Sequence, residues 1–237
     1  MVLVVLGLFI SVCYTMPMIE AVIIDFDDTL CLTEEACFNL ENETLRRLGR
    51  DPMGRDIHLN TWGQPLYDAI QLRSPGVDAD KFWDLMPSVH EEYISNGQVD
   101  VISETNLQVL DKLAQLGKKL MILTSRTEVE MKHLLVPSHT LANRITHFYY
   151  KDNMKFHKPD PRAFEVIERD HRLAPEQCVY VGDSPSDAAA AKGASLYFVA
   201  SLESGVRTKA DFVSYPVDAY INSFADLPDA IAALEAA

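Results

Sequence analysis

Acidic residues are crowded near the start of the chain, in the stretch AVIIDFDDTLCL at residues 21–32. Asp25, Asp27 and Asp28 directly follow a run of apolar residues. Like charges at this spacing repel one another, and an apolar segment solvates them poorly. Some chemistry must make this crowding favourable, and further polar motifs along the chain indicate what it is.

Three more polar motifs follow apolar runs further along the chain. Thr124 and Ser125 lie in LTSR, Lys158 lies in HKPDP, and Asp183 and Asp187 lie in VGDSPSD. Two carboxylates four residues apart after an apolar run are typical of a cation site. LTSR and HKPDP, taken alone, are typical of ordinary helix starts. Function is therefore indicated by the four motifs together, in this order.

The elements that carry these motifs alternate between short apolar strands and amphipathic helices. The predicted strands are MIEAVIIDF (18–26), KKLMILTS (118–125), RITHFYY (144–150), CVYVGDS (178–184) and SLYFVA (195–200). Helical patterns separate them from residue 102 onward, which predicts an α/β fold with a doubly wound parallel sheet. Each motif ends at or near the carboxyl end of a strand, where such sheets bind ligands.

Residues 33–101 contain only helical patterns and lie between the first and second strands. The first helix is predicted from Thr33, in the N-cap position, to Gly49. We therefore expect a core of residues 18–32 and 102–237 with an inserted helical cap at 33–101. Residues 1–17 form an apolar extension without a preceding basic residue, shorter than the roughly 20 residues that span a bilayer. We expect this extension to be dispensable.

The composition excludes several classes of partner. A net charge of -14, from 21 basic and 35 acidic residues, disfavours binding to nucleic acid or to anionic membranes. The four cysteines form no CxxC pair, so we expect reduced thiols, a cytoplasmic location and no zinc site. We expect a monomer or a homodimer.

The four motifs resemble those of the haloacid dehalogenase superfamily, in its branch of phosphatases with a helical cap after the first motif. That branch includes phosphoglycolate phosphatases and β-phosphoglucomutases. The resemblance covers the chain from Met18 onward. Asp25, Asp27 and Thr29 match the first motif, and Thr124 matches the second. The remaining matches are Lys158 in the third motif and Asp183 and Asp187 in the fourth. The fold implied is a Rossmann-like core with an inserted all-helical cap.

The resemblance also implies roles for these residues. Asp25 would be the nucleophile that forms an aspartyl-phosphate, and Asp27 the general acid and base. A Mg²⁺ ion would make the crowded acids favourable. Its ligands would be the Asp25 and Asp183 side chains and the Asp27 main-chain carbonyl, with Asp187 in support.

Further residues would assist the reaction. Thr124 and Lys158 would stabilise the transferred phosphoryl group, with Thr29 and Ser125 as supporting residues. Trp62 and Gln64, in a segment between two predicted helices, are candidates for contact with a small phosphorylated metabolite. Asp28 stands where the family often has glycine, and we expect it to be an exposed turn residue.

The resemblance leaves alternatives open. A phosphosugar mutase of the β-phosphoglucomutase type would share all four motifs, so only product analysis separates it from a phosphatase. A dehalogenase is disfavoured because those relatives lack the acid that Asp27 provides. A receiver-like signalling module, which also accepts phosphate on an aspartate, would have neither the large helical insertion nor the late acid pair.

Overall fold

A computed structural model describes residues 18–64 and 66–237 of the chain. Its centre is a six-stranded, fully parallel sheet with the strand order β3-β2-β1-β4-β5-β6. The strands are β1 (Ala21–Ile24), β2 (Lys119–Leu123), β3 (His147–Tyr149), β4 (Cys178–Gly182), β5 (Tyr197–Ser201) and β6 (Ala219–Ile221). The predicted α/β class with a doubly wound parallel sheet is confirmed.

Helices connect the strands, and some of them cover the two faces of the sheet. They are α1 (Glu34–Arg47), α2 (Arg55–Thr61), α3 (Leu66–Arg73), α4 (Ala79–Ser95), α5 (Glu104–Gln115), α6 (Glu128–Met131), α7 (Glu165–His171), α8 (Pro185–Gly193) and α9 (Leu227–Glu235). Val22 of β1 belongs to an apolar cluster with residues of α5 and α9, and Ile23 to another with residues of α7 and α8. Because successive side chains of a strand point to opposite faces, β1 is buried on both sides.

Three details differ from the sequence predictions. The strands are shorter than their apolar runs, and the sheet contains a sixth strand, β6, that was not predicted. The pattern of TEVEMKHLL (127–135) predicts a helix through Leu135, but α6 ends at Met131. Leu134 is nevertheless fully buried in the core, because the turns that follow α6 pack it there.

The segment at residues 33–101 contains helices α1 to α4 and has an apolar cluster of its own, built around Leu45, Ile70 and Phe82. Its status as a separately moving cap, and the domain boundaries, stay predictions. Residues 1–17 lie outside the described part of the chain. Among the described residues, no helix is long and apolar enough to cross a membrane.

The strand register brings the ends of β1, β2 and β4 to one edge of the sheet. Ile24 of β1 pairs with Ile122 of β2 on one side and with Val181 of β4 on the other. Asp25 comes one position after Ile24. Thr124 comes two positions after Ile122, and Asp183 comes two positions after Val181. The first, second and fourth motifs therefore meet at the carboxyl edge.

Candidate active site

Three buried carboxylates form a cluster at the carboxyl edge of the sheet. Asp25 follows β1, Asp183 follows β4, and Asp187 lies in the first turn of α8. One oxygen from each can be chosen so that all three lie within 4.8 Å of one another. Hard carboxylate oxygens in this number and at this spacing suit a divalent cation such as Mg²⁺.

The surroundings of the cluster disfavour the ionised forms of its carboxyl groups. Burial raises the pKa of Asp25 to about 7; Lys158 opposes this shift, and the charges of Asp187 and Asp27 add to it. Burial also holds the pKa of Asp183 well above its ordinary value, with further contributions from Asp187 and Asp25. A cation among these groups would favour their ionised forms, because it would be the largest local charge.

Lys158 connects two members of the cluster. Its Nζ lies 2.9 Å from Asp25 Oδ1 and 2.6 Å from Asp187 Oδ1, and it donates to the Tyr180 hydroxyl at 2.9 Å. Burial lowers the pKa of Lys158, but the charges of Asp187 and Asp25 outweigh burial and keep the pKa above its ordinary value. Lys158 therefore remains a cation beside Asp25.

Asp187 is held by hydrogen bonds on both oxygens. Its Oδ1 accepts from Lys158 and from the Tyr180 hydroxyl, and its Oδ2 accepts from the main-chain N–H and the hydroxyl of Ser184. Gly182 leaves room for this carboxylate, since a Cβ at that position would lie 2.6 Å from it. Asp187 thus has fewer free lone pairs than Asp183, to which no described residue donates a hydrogen bond.

The Asp27 carboxylate is not part of the three-acid cluster. Its Oδ1 accepts from the Thr33 hydroxyl at 2.8 Å and from Arg126 Nη2 at 2.7 Å, and its Oδ2 accepts from Arg126 Nε at 3.0 Å. Arg126 was not among the predicted site residues. The signal was present, because Arg126 is the last residue of the LTSR motif, two positions after Thr124.

The other predicted site residues have different surroundings. Thr124 is buried, and its hydroxyl accepts from the Arg126 main-chain N–H at 3.2 Å. Ser125, next to it, is exposed. Thr29 is fully buried, and its hydroxyl has no hydrogen-bond partner among residues 18–64 and 66–237.

Asp28 is not the exposed turn residue that the sequence predicted. It is buried, and its backbone has a left-handed φ of 53°. Its Oδ1 accepts from the main-chain N–H groups of Thr33 and Glu34 at 3.0 and 3.1 Å, and its Oδ2 accepts from Trp62 Nε1 at 2.6 Å. The prediction was wrong because Asp28 supplies the side-chain cap of α1. The Thr33 hydroxyl makes no cap and bonds Asp27 instead.

The two substrate-contact candidates lie in the loop between α2 and α3. Trp62 is half-buried, with its ring 5.2 Å from that of His58, and its Nε1 is bound to Asp28. Gln64 is exposed. Arg207, in the loop after β5, reaches this segment with Nη2 3.5 Å from the Trp62 carbonyl oxygen. The loop therefore contacts the sheet-bearing part of the protein at two points.

The sequence is similar to those of known proteins. Residues 22–201 match the family described as haloacid dehalogenase-like hydrolase. The phosphoglycolate phosphatase of Rhodobacter capsulatus is 27% identical over 220 residues, which are 89% of this chain and 96% of that protein. A phosphorylated carbohydrates phosphatase of Thermotoga maritima is 25% identical over 180 residues, which are 75% of this chain and 82% of that protein.

Solved structures share the fold. CbbY from Rhodobacter sphaeroides, in complex with phosphate, superposes with a TM-score of 0.70 at 23% identity, over 89% of this chain and 96% of that one. The family match extends over more than half of the sequence. The chain with the acid cluster and Lys158 at its sheet edge therefore belongs to the haloacid dehalogenase-like hydrolases.

Proposed function

We propose that this enzyme is a Mg²⁺-dependent phosphatase that removes phosphate from a small phosphorylated metabolite through an aspartyl-phosphate on Asp25. The observation that carries the proposal is the set of contacts around Asp25, a buried carboxylate with two further buried acids and Lys158 beside it. The names of the relatives from Rhodobacter capsulatus and Thermotoga maritima support a phosphate ester as the substrate class.

Mg²⁺ fits the residues present, since the cluster offers only hard oxygen donors and is electrostatically unfavourable without a cation. Asp25 and Asp183 would hold the ion through their side chains and Asp27 through its main-chain carbonyl, with Asp187 in support. When bound, the ion would neutralise charge on the phosphoryl oxygens.

In the first step, a carboxylate oxygen of Asp25 attacks phosphorus and the bond from phosphorus to the leaving oxygen breaks. Asp27 donates a proton to that oxygen, so that a neutral alcohol departs. In the second step, Asp27 takes a proton from a water molecule, whose oxygen attacks phosphorus. The Asp25 carboxylate and inorganic phosphate are then released.

Thr124 and Lys158 stabilise the phosphoryl group while it is transferred. The transferred group spreads negative charge over three oxygens, for which the Thr124 hydroxyl is a donor and Lys158 a compact positive charge. Lys158 also reduces the repulsion between Asp25 and an incoming phosphate, because its Nζ already lies 2.9 Å from Asp25. Thr29 and Ser125 are proposed as supporting residues.

The proposed setting is the reducing cytoplasm. The described cysteines Cys31, Cys37 and Cys178 are free thiols. The protein has a net charge of -14, which disfavours nucleic acid and membrane surfaces as partners. This charge supports a small metabolite as the substrate.

A panel of phosphorylated metabolites tests the proposal, assayed with Mg²⁺ and after exhaustive chelation. We expect release of inorganic phosphate that requires the cation and is abolished by Asp25→Asn. The matched control is Asp111→Asn, in a half-buried ion pair with Arg144, which should retain full activity. Full hydrolysis after chelation would contradict the proposal, and conversion of one sugar phosphate into an isomer would identify the mutase alternative.

A further inference from the structure

Arg126 joins the Asp27 carboxylate to a second buried acid, Asp100. Its Nη1 donates to Asp100 Oδ2 at 2.7 Å and its Nη2 to Asp100 Oδ1 at 2.7 Å. Its Nε and Nη2 face Asp27. The guanidinium therefore binds one carboxylate on each of two edges, an arrangement that fixes its plane.

The surroundings of Arg126 restrict it further. Its side chain is only 11% exposed, and its guanidinium carbon lies 4.6 Å from the centre of the Phe26 ring. Asp100 is almost fully buried, and His133 Nε2 lies 2.8 Å from its Oδ2. Asp100 is thus anchored from a second side, and both ends of the Arg126 contact are held in place.

Asp100 occupies a particular place in the chain. It lies between the end of α4 and the start of α5, where the chain returns from the helical segment at residues 33–101 to the sheet. Its backbone has a left-handed φ of 56°, which is uncommon outside glycine. The contact from Asp27 through Arg126 to Asp100 therefore connects the first motif with this junction.

The two oxygens of Asp27 have unequal surroundings. Oδ1 accepts from the Thr33 hydroxyl and, at the shortest distance, from Arg126 Nη2, with Arg126 Nε at 3.2 Å as an additional donor. Oδ2 accepts only from Arg126 Nε at 3.0 Å among the described residues. A carboxylate oxygen has two lone pairs, so Oδ2 keeps one free and Oδ1 does not.

We propose that Arg126, anchored by Asp100, is a positioning residue that fixes the Asp27 carboxylate so that its Oδ2 oxygen exchanges the proton in catalysis. This inference rests on the proposed function, since it assigns to Asp27 the acid and base role given above. Arg126 itself transfers no proton. It acts through Asp27, and its loss frees the carboxylate to rotate away from the leaving oxygen.

A comparison of substrates with good and poor leaving groups tests whether Arg126 has this positioning role. A poor leaving group, such as the alkoxide of an alkyl phosphate, needs protonation as its bond to phosphorus breaks, whereas 4-nitrophenolate needs little. The rate to measure is that of the first turnover, obtained by rapid quenching as release of the alcohol or phenol. The substrates are 4-nitrophenyl phosphate and the best alkyl monophosphate of the substrate panel.

We expect Arg126→Gln to slow the first turnover of the alkyl phosphate by about tenfold or more, because a general acid contributes roughly 10²- to 10⁴-fold when well placed. The first turnover of 4-nitrophenyl phosphate should fall by no more than about threefold. Asp100→Asn, which keeps the shape of the side chain, should show the same selectivity to a smaller degree. Arg126→Lys keeps the charge but not the two-edged geometry, and should resemble Arg126→Gln.

Arg144 provides the matched control, since it makes a similar two-bond contact with Asp111 on α5 at 2.7 and 2.9 Å. Arg144→Gln should leave the ratio of the two first-turnover rates unchanged. Equal losses on both substrates in the Arg126 and Asp100 variants, in parallel with melting temperature, would show a structural role and overturn the inference.

A double variant separates this inference from the proposed function. If Arg126 acts through Asp27, adding Arg126→Gln to Asp27→Asn should cause no further loss on the alkyl phosphate, and additive losses would contradict the inference. If Asp27→Asn alone shows no dependence on the leaving group, the proposed role of Asp27 fails, and the inference fails with it. If Asp27→Asn shows that dependence and the Arg126 variants do not, only the inference fails.

Discussion

Replacement of Asp25 by asparagine should stabilise the metal-free protein while abolishing its activity. Asp25 is buried beside Asp183 and Asp187, and burial raises its pKa from 3.8 to about 7. Asparagine has nearly the same shape and stays neutral at every pH. Asp25→Asn should therefore remove the cost of ionising this group inside the folded protein.

The size and sign of the effect follow from proton linkage. Between pH 3.8 and about 7 the unfolded chain releases the Asp25 proton before the folded protein does, so the free energy of unfolding falls as the pH rises. Each unit of pKa difference corresponds to roughly 1.4 kcal/mol, which gives about 4 kcal/mol for this group once the pH exceeds 7. About 3 kcal/mol of this loss falls between pH 5 and pH 8.

The assay is urea denaturation in the presence of a chelator at pH 5 and at pH 8. The advantage of Asp25→Asn over the natural protein should grow by about 3 kcal/mol between these two values. The control is Asp111→Asn, because the Asp111 side chain is 44% exposed and its pKa is lowered by hydrogen bonds from Arg144. That control should gain no stability at either pH.

Mg²⁺ should reverse the order of stability of the natural protein and Asp25→Asn. The natural protein should gain melting temperature when the ion is added, and Asp25→Asn should gain much less, since it lacks one of the proposed ligands. A variant that is no more stable than the natural protein at pH 8 in chelator, or an advantage that does not grow with pH, would refute the view that the acids oppose folding without a cation.

Three further predictions follow from the site. Gly182→Ala should weaken Mg²⁺ binding measured by calorimetry, since its Cβ would lie 2.6 Å from the Asp187 carboxylate, whereas Gly54→Ala has open space and should bind normally. Gly182→Ala with unchanged affinity would contradict this packing argument. Asp27→Asn should give a burst of phenol from an aryl phosphate with slow phosphate release, because the second step still needs a base; equal rates of both products would argue against this role. Gln64→Ala should change relative rates among substrates without changing the melting temperature, because Gln64 is exposed. Parallel losses on every substrate would exclude it from recognition.

Local patterns were sufficient to predict the motif positions and the fold class. Asp25, Thr124 and Asp183 each follow an apolar run, and the parallel register brings those run ends together. The strand β6 was missed because Ala219–Ile221 is flanked by Asp218 and Asn222, so that no extended apolar run marks it. The equally short β3 was found because it lies within the longer run RITHFYY.

Contacts distant in sequence could not be predicted in the same way. The buried position of Asp28 depends on a left-handed backbone and on Trp62, which comes 34 residues later. Arg73 was not singled out, because nothing in its neighbourhood indicates the buried pair it forms with Glu41 at 2.6 Å. The LTSR motif marks the position of Arg126, but not its partner Asp27, which lies 99 residues earlier in the chain. Such pairs are set by tertiary packing, and a sequence pattern reports only local periodicity.

The role of Asp25 as the nucleophile is tested most directly by locating the phosphorylated residue. The enzyme is mixed with a substrate of the panel and Mg²⁺ and quenched in acid during the first turnover. Borohydride then reduces any aspartyl-phosphate to homoserine, which mass spectrometry locates in the sequence. We expect homoserine at Asp25 and none in Asp25→Asn. Homoserine at Asp27, or turnover without any modified aspartate, would contradict it.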